Sequence, residues 1–215
     1  MKNLFLILLI SFLGINQISI AQTNDKKSKE ILNKVAKKAK TFKNLKFQFD
    51  YRMQDKAHNL NNNIPGTIVL KGNMYNLHIM GSNVITDGKT VWTNDPEAEE
   101  ITIRNIDKSD DTFAFLKIIT SVDDNYTSKY IKSTKVGGKS FYIIDLVPKK
   151  GQSYYKIRVK VDKVQSWITE AIIYEKSNIT YTFSIKKFET NLNLPAGYFK
   201  LDPSKFPDLE IVDLR

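Results

Sequence analysis

A two-residue alternation of apolar and polar side chains runs through most of the chain after residue 45. It is clearest in FQFDYRM at 47–53, YKIRVKV at 155–161 and ITYTFSI at 179–185. Strands with one dry face and one wet face produce this pattern. Glycine- and asparagine-rich turns separate the strands at short intervals, and no helix-length crossovers intervene. We therefore expect a mainly β (α+β) fold, an incomplete antiparallel β-barrel or strongly curved sheet.

Two segments depart from this alternation and predict helices. Residues 28–42 carry apolar side chains at helical spacing and lysines on the other side, which predicts an N-terminal amphipathic helix capped by Ser28. The polar residues 22–27 before it are expected to be disordered. Residues 112–119, after two aspartates, are apolar nearly all the way round and must be covered on every side. This second helix is either buried under a loop or forms a lid over a cavity.

The first residues read as an export signal. Lys2 precedes an apolar run that ends in small residues at Ala21, which predicts a signal peptide at 1–21, cleaved to leave a single domain at 22–215. An uncleaved membrane anchor is disfavoured because polar residues such as Asn16 and Gln17 dilute the run. The chain has no cysteine to carry a lipid of its own. Cleavage would remove Lys2 from a formal net charge of +10 and leave +9.

The sequence contains no catalytic motif, because its candidate catalytic residues do not occur at any recognised spacing. His58 and His78 do not form a metal-binding motif, and nucleophile elbows and phosphate-binding loops are absent. Acidic residues between 107 and 124 lack the spacing of a glycosidase pair or a calcium loop. We therefore expect no enzyme, no metal and no cofactor. Export argues against nucleic acid as the partner of the basic charge, leaving a membrane surface or an acidic protein.

Several motifs together resemble the LolA-like periplasmic lipoprotein carriers. ITDGKTVW at 85–92 is followed by NDPE at 94–97 and ITI at 101–103. GTIVLKG at 66–72 stands ahead of Tyr75, and FKLDPSKF at 199–206 closes the chain with Val212 and Asp213. The resemblance implies a partial barrel with helices over its mouth and a cavity for acyl chains. It also implies a periplasmic, non-catalytic carrier that receives acylated lipoproteins from an inner-membrane ABC complex and passes them to an outer-membrane acceptor.

On this resemblance we assign candidate residues to the carrier's parts. Better-known members have an Arg-Pro pair that has no direct counterpart here, and Lys71 is the nearest basic residue. Lys71 and the helix lysines Lys34, Lys37 and Lys38 are candidates for lid control, partner binding or transient membrane contact, although charge runs are also common on plain solvated faces. The candidate acyl-binding residues are Phe47, Phe49, Tyr51, Ile68, Leu70, Tyr75, Leu77, Trp92, Phe113, Phe115, Leu116, Ile118 and Ile119. Those on the strands are equally well explained as members of an ordinary packed core.

Two alternative functions stay open at this stage. A carrier of the same shape could hold another lipid, such as a glycolipid, because an apolar cavity responds to chain volume more than to the headgroup. A periplasmic sensor or interaction domain could instead bind a protein partner through the basic helix. Acylated protein co-purifying with the chain would support the lipoprotein carrier, and free glycolipid the second carrier. Ligand-free protein that still binds a partner tightly would favour the sensor. A monomer is expected in each case.

Overall fold

The computed structural model describes residues 17–55, 60–107 and 125–215. Within these ranges, side chains are described from residue 25 onwards, except that of Leu60. The predicted lid helix, with its candidate residues Phe113, Phe115, Leu116, Ile118 and Ile119, lies outside the described residues, as does His58.

The N-terminal helix α1 (Gln17–Ala39) is longer than the sequence predicts. It includes the polar residues 22–27, so their predicted disorder is wrong, and it ends three residues before Phe42. Ser28 lies within α1 and does not cap it. Its Oγ is 2.8 Å from Ser128 Oγ on a neighbouring strand, and Ser28 is fully buried. In the described part of the chain, no helix is long and apolar enough to span a bilayer.

Twelve strands form one sheet in the order β12-β6-β5-β4-β3-β2-β1-β11-β10-β9-β8-β7. All neighbours are antiparallel except β12, which runs parallel to β6. The strands are β1 (Leu45–Asp55), β2 (Leu60–Lys71), β3 (Met74–Ile79), β4 (Ser82–Thr86), β5 (Thr90–Asp95), β6 (Glu100–Asn105), β7 (Tyr126–Val136), β8 (Lys139–Pro148), β9 (Tyr154–Asp162), β10 (Ile168–Glu175), β11 (Ile179–Thr190) and β12 (Glu210–Asp213). The predicted mainly β fold, an open and strongly curved sheet with an N-terminal helix, is confirmed.

The sheet's inner face is the one that α1 covers. One apolar cluster on this face extends from Val91 of β5 across to Leu146 of β8, and it includes α1 side chains. Cross-strand register explains the continuity: Phe47 of β1 stands opposite Ile68 of β2 and Phe188 of β11. Side chains of one parity in each strand therefore share one dry surface.

The outer face carries a smaller cluster under the C-terminal segment. Leu201, Phe206 and Leu209 pack against Ile85, Ile101 and Ile103 of β4 and β6. The segment then returns as β12, which extends the sheet beside β6. The closing motif of the sequence thus covers one wing of the outer face.

A β-bulge in β9 interrupts one of the predicted alternations. Tyr155 was expected to share the dry face of Ile157, Val159 and Val161, yet it is 49% exposed and its neighbour Tyr154 is 3% exposed. The β9–β10 register shifts between Tyr174 and Glu175, so two residues of one strand oppose one of the other. A one-residue shift moves every side chain beyond it to the opposite face.

Candidate functional site

The candidate acyl-binding residues on β1, β2 and β3 come together on the inner face. Phe47, Phe49, Ile68, Leu70 and Leu77 are all at most 5% exposed and belong to the same cluster. Tyr51 and Tyr75 are partly buried and pack against this cluster at its margin. Seven of the candidates therefore form one continuous surface.

Trp92 does not belong to this surface. Ile85, Trp92 and Ile103 are cross-strand neighbours on β4, β5 and β6, and Trp92 packs against the outer-face cluster. Its neighbour Val91 is the β5 residue that reaches the inner cluster. The motif predicts the strand that contains both residues, but the choice between Val91 and Trp92 depends on the face, which only the register settles.

The side chains of α1 fill much of the inner face. Ile31, Leu32, Val35 and Ala39 are 8%, 5%, 1% and 6% exposed and join the inner cluster. At the start of this contact, the Ser28 hydroxyl approaches Ser128 of β7, and Lys27 Nζ lies 3.8 Å from the centre of the Tyr130 ring. Ligand access to the wall residues that α1 covers would therefore require α1 to move away from the sheet.

Partly buried tyrosines border the inner face where β1 and β11 lie side by side. Tyr51 and Tyr181 stack with their ring centroids 5.9 Å apart and an interplanar angle of 13°. Loss of hydration, with smaller contributions from Tyr181 and Glu175, raises the pKa of Tyr51 to about 12. The pKa of Tyr181 is also raised, chiefly by burial. Tyr181 was visible in the alternating pattern at 179–185, but without register it could not be paired with Tyr51.

The Tyr51 ionisation predicts a loss of stability in alkali. The ordinary tyrosine pKa is 10.0 and the folded value about 12, so the folded protein holds this proton to a higher pH than the unfolded chain. Stability should fall as the pH rises from about 10 to about 12. Tyr51→Phe should raise the pH midpoint of alkaline unfolding, followed by circular dichroism. Tyr155→Phe controls for the loss of a hydroxyl at an exposed position, and equal midpoints for the two variants would contradict the assignment.

Two clefts open on the surface of the sheet, and the first involves outer-face side chains of β1, β2 and β3. The first, of about 420 Å³, is lined by residues that include Gln48, Asp50, His78 and Lys186. Asp50 Oδ2 is 2.8 Å from Lys186 Nζ, and the hydrogen bond from this lysine lowers the pKa of the Asp50 carboxyl. His78 is exposed on β3. Two of the charged side chains in this cleft therefore neutralise each other.

The second cleft, here called the lysine cleft, has a volume of about 460 Å³ and lies where α1 ends. Lys40 and Lys43 come from the segment between α1 and β1, and Lys71 from the end of β2. Its remaining lining residues are Ala39, Phe42, Asn44, Leu45, Leu70, Gly72 and Asn73. Ala39, Leu45 and Leu70 also belong to the inner cluster, so the cleft's apolar floor is continuous with the inner face.

The candidate lysines are placed in two groups. Lys34 and Lys37 are exposed on α1. Lys38 is partly buried because its Nζ lies 4.7 Å from the centre of the Trp167 ring and donates a hydrogen bond to the Gln165 carbonyl oxygen. Lys71 lines the lysine cleft. Lys38 is therefore engaged within the molecule, whereas Lys34, Lys37 and Lys71 point to solvent.

The side chains of the described site are mainly apolar. No group of three or more histidine, aspartate or glutamate side chains that could hold a metal ion occurs in the described ranges. The inner face offers aliphatic and aromatic side chains, and tyrosine hydroxyls supply polar groups at its border. Such a surface suits hydrocarbon chains attached to a polar group.

Comparison with known proteins identifies the family. The family model described as outer membrane lipoprotein carrier protein LolA matches residues 71–202. The outer-membrane lipoprotein carrier protein of Legionella pneumophila strain Lens is 25% identical over 126 residues, which are 59% of this chain and 61% of that protein. The match thus spans about three fifths of the curated relative's length.

Solved structures agree on the fold. An uncharacterized conserved protein from Thermus thermophilus superposes with a TM-score of 0.59 at 10% identity, covering 87% of this chain and 99% of that one. A DUF1329 family protein from Desulfovibrio piger gives a TM-score of 0.51 at 14% identity, covering 82% and 97% of the two chains. The family model covers more than half of the sequence, and the chain belongs to the LolA family of outer-membrane lipoprotein carrier proteins.

Proposed function

We propose that this protein is a periplasmic carrier that shields the acyl chains of lipoproteins on its inner face and delivers them from the inner to the outer membrane. Family membership supports a carrier of this type. The observation that carries the proposal is the continuous apolar inner face, which one described helix covers from a single side. In this proposal residues 1–21 are cleaved on export, residues 22–215 form one domain, and the protein is non-catalytic.

The proposed partners follow from the direction of transport. Acylated lipoproteins would arrive from an inner-membrane ABC release complex and leave to an outer-membrane acceptor. A lipoprotein needs such a carrier because each methylene exposed to water costs about 0.8 kcal/mol, or on the order of 10 kcal/mol for a sixteen-carbon chain. Contact of the carrier with either membrane would be transient.

Exchange between α1 and the ligand is the proposed binding mechanism. The α1 residues Ile31, Leu32 and Val35 occupy the inner face, and burial of such side chains contributes about 1.5–3 kcal/mol each. Acyl chains that displace α1 recover this free energy through their own contacts with the same wall. Release is then assisted by the return of α1, so the empty carrier does not expose its apolar face. The apolar segment at 112–119, which the sequence predicts as a lid helix, is kept in this proposal as a lid over the acyl chains.

The proposal predicts that the purified protein releases lipoproteins from spheroplasts as soluble complexes. Protein isolated without detergent from the native periplasm should carry acylated polypeptide, identified by mass spectrometry. Val35→Asp places a charge on a side chain that is 1% exposed beneath α1, so it penalises the closed state and should raise lipoprotein release at least severalfold over wild type, because the ligand then displaces a weaker cover. Asn33→Asp, two residues earlier on the exposed side of α1, is the matched control.

The outcomes separate the candidate functions. Free glycolipid in place of acylated protein would assign the same surface to another lipid. Ligand-free protein that binds a polypeptide without acyl chains would indicate an interaction domain and contradict the carrier. Val35→Asp must keep its circular dichroism spectrum for the release result to count, and Val35→Ala provides a milder variant if it does not fold.

A further inference from the structure

We propose that the lysine cleft is a docking surface for the headgroups of an anionic phospholipid membrane. The inference deepens the proposed function, on which it rests, by naming the surface through which the carrier meets the bilayer. Lys40, Lys43 and Lys71 would contact lipid phosphates, while Phe42 and Leu70 form the apolar floor beneath them.

Charge in the cleft is of one sign. Three lysines and no acidic residue line it. All three are exposed, and none of them has a carboxylate within 4.0 Å in the part of the chain that the structure describes. Asp87 belongs to the adjoining turn, where Gly88 approaches Asn73, but its carboxylate accepts hydrogen bonds from the backbone N–H groups of Lys89 and Thr90. The cleft therefore presents unneutralised cations around an apolar floor.

The position of the lysines is not explained by stabilisation of the helix alone. Lysines near a helix C-terminus interact favourably with its terminal carbonyl groups, which accounts for Lys37, Lys38 and Lys40. Lys71 comes from the end of β2 and Lys43 from the approach to β1, so neither belongs to α1. Three cations from two separate segments, the α1–β1 connection and the end of β2, converge on one opening, and the exposed Lys37 extends this basic surface along α1.

A membrane fits this surface better than an acidic protein does. The floor residues Leu45 and Leu70 belong to the inner cluster, so the cleft opens directly onto the surface proposed for acyl chains. Headgroups held at the lysines would place the end of the inner face against the bilayer. An acyl chain could then pass between membrane and carrier without crossing water. An acidic protein would use the cations but not the apolar floor beneath them.

The test compares vesicle binding of two triple variants of the mature protein. Each lysine near an anionic leaflet contributes about fivefold in affinity, so K40Q/K43Q/K71Q should bind mixed phosphatidylglycerol and phosphatidylcholine vesicles about a hundredfold more weakly than wild type. The control K129Q/K132Q/K135Q removes the same charge from exposed positions on β7 and should lose less than about threefold. Flotation with the vesicles measures both.

Three further measurements make the result decisive. Wild-type binding should be absent with pure phosphatidylcholine and should weaken in salt, while inorganic phosphate should compete no better than chloride of equal ionic strength. Equal vesicle binding by the two triple variants, or none by wild type, would overturn the inference. Binding of a triacylated lipopeptide in solution is measured in parallel: if it persists when vesicle binding fails, the carrier proposal stands and only the docking surface is wrong.

Discussion

A disulfide between α1 and β7 should abolish acyl binding and reduction should restore it. The proposed exchange requires α1 to leave the inner face, and a covalent link at Ser28 and Ser128 would hold it there. We expect the oxidised variant S28C/S128C to bind a triacylated lipopeptide at least about fiftyfold more weakly than the reduced form, because the ligand would lose most of its contacts with the wall beneath α1. A fiftyfold change in affinity corresponds to about 2.3 kcal/mol of binding free energy. Displacement of a fluorescent acyl probe measures the affinity.

The local geometry suits this cross-link. The two hydroxyl oxygens are 2.8 Å apart, and the residues are 0% and 5% exposed. Side chains that meet this closely are within reach of each other, which is the first requirement for a disulfide. The sequence has no cysteine, so the engineered pair has no competing thiol.

Single-cysteine variants are the matched controls. S28C and S128C each lose one hydroxyl of the same contact but cannot form the bond, so they should bind the lipopeptide equally in oxidant and reductant. If the oxidised double variant binds as tightly as its reduced form, α1 does not have to leave the sheet, and acyl chains must enter elsewhere. Mass measurement under denaturing conditions confirms that the bond has formed.

Much of the fold could be predicted from local pattern. The alternation in β1, β9 and β11 follows directly from burial of one face, and α1 follows from apolar residues at helical spacing. Phe47 and Phe49 could be assigned to one dry surface because both stand in such an alternation, whereas Ile68 was assigned from the motif at 66–72. Family resemblance then indicated what the surface holds, which the pattern of burial alone does not distinguish from an ordinary core.

The features that were missed depend on register and on contacts between distant segments. Tyr155 was placed on the wrong face because a bulge displaces it, and bulges leave no periodic signal. Trp92 was grouped with the acyl wall on the family resemblance, whereas the C-terminal segment covers it from the outer side. Ser28 resembled a helix cap until Ser128, one hundred residues away, supplied its partner. The lysine cleft likewise unites residues from α1, β1 and β2.

Replacing Phe47 by alanine should destabilise the protein by about 3–5 kcal/mol, the usual effect of removing a buried phenylalanine ring. Phe47 is 2% exposed, and its ring centroid lies 5.0 Å from that of Phe188. The loss of stability has two parts, the burial free energy of the missing ring and the cost of the void that it leaves in the packed inner cluster. Urea unfolding gives the free energy, with Gln48→Ala, on the outer side of β1, expected within about 0.5 kcal/mol of wild type.

The size of this effect decides whether Phe47 is core or cavity wall. A ring that borders open space leaves little new void when it is removed, so a loss below about 1.5 kcal/mol would contradict the closed packing of α1 on the inner face. In the closed arrangement the void left by the ring is apolar and can accept part of an acyl chain. A triacylated lipopeptide should then raise the unfolding free energy of Phe47→Ala more than that of wild type, because ligand binding to the folded state adds to its stability. Equal stabilisation of both proteins would show that acyl chains do not reach Phe47.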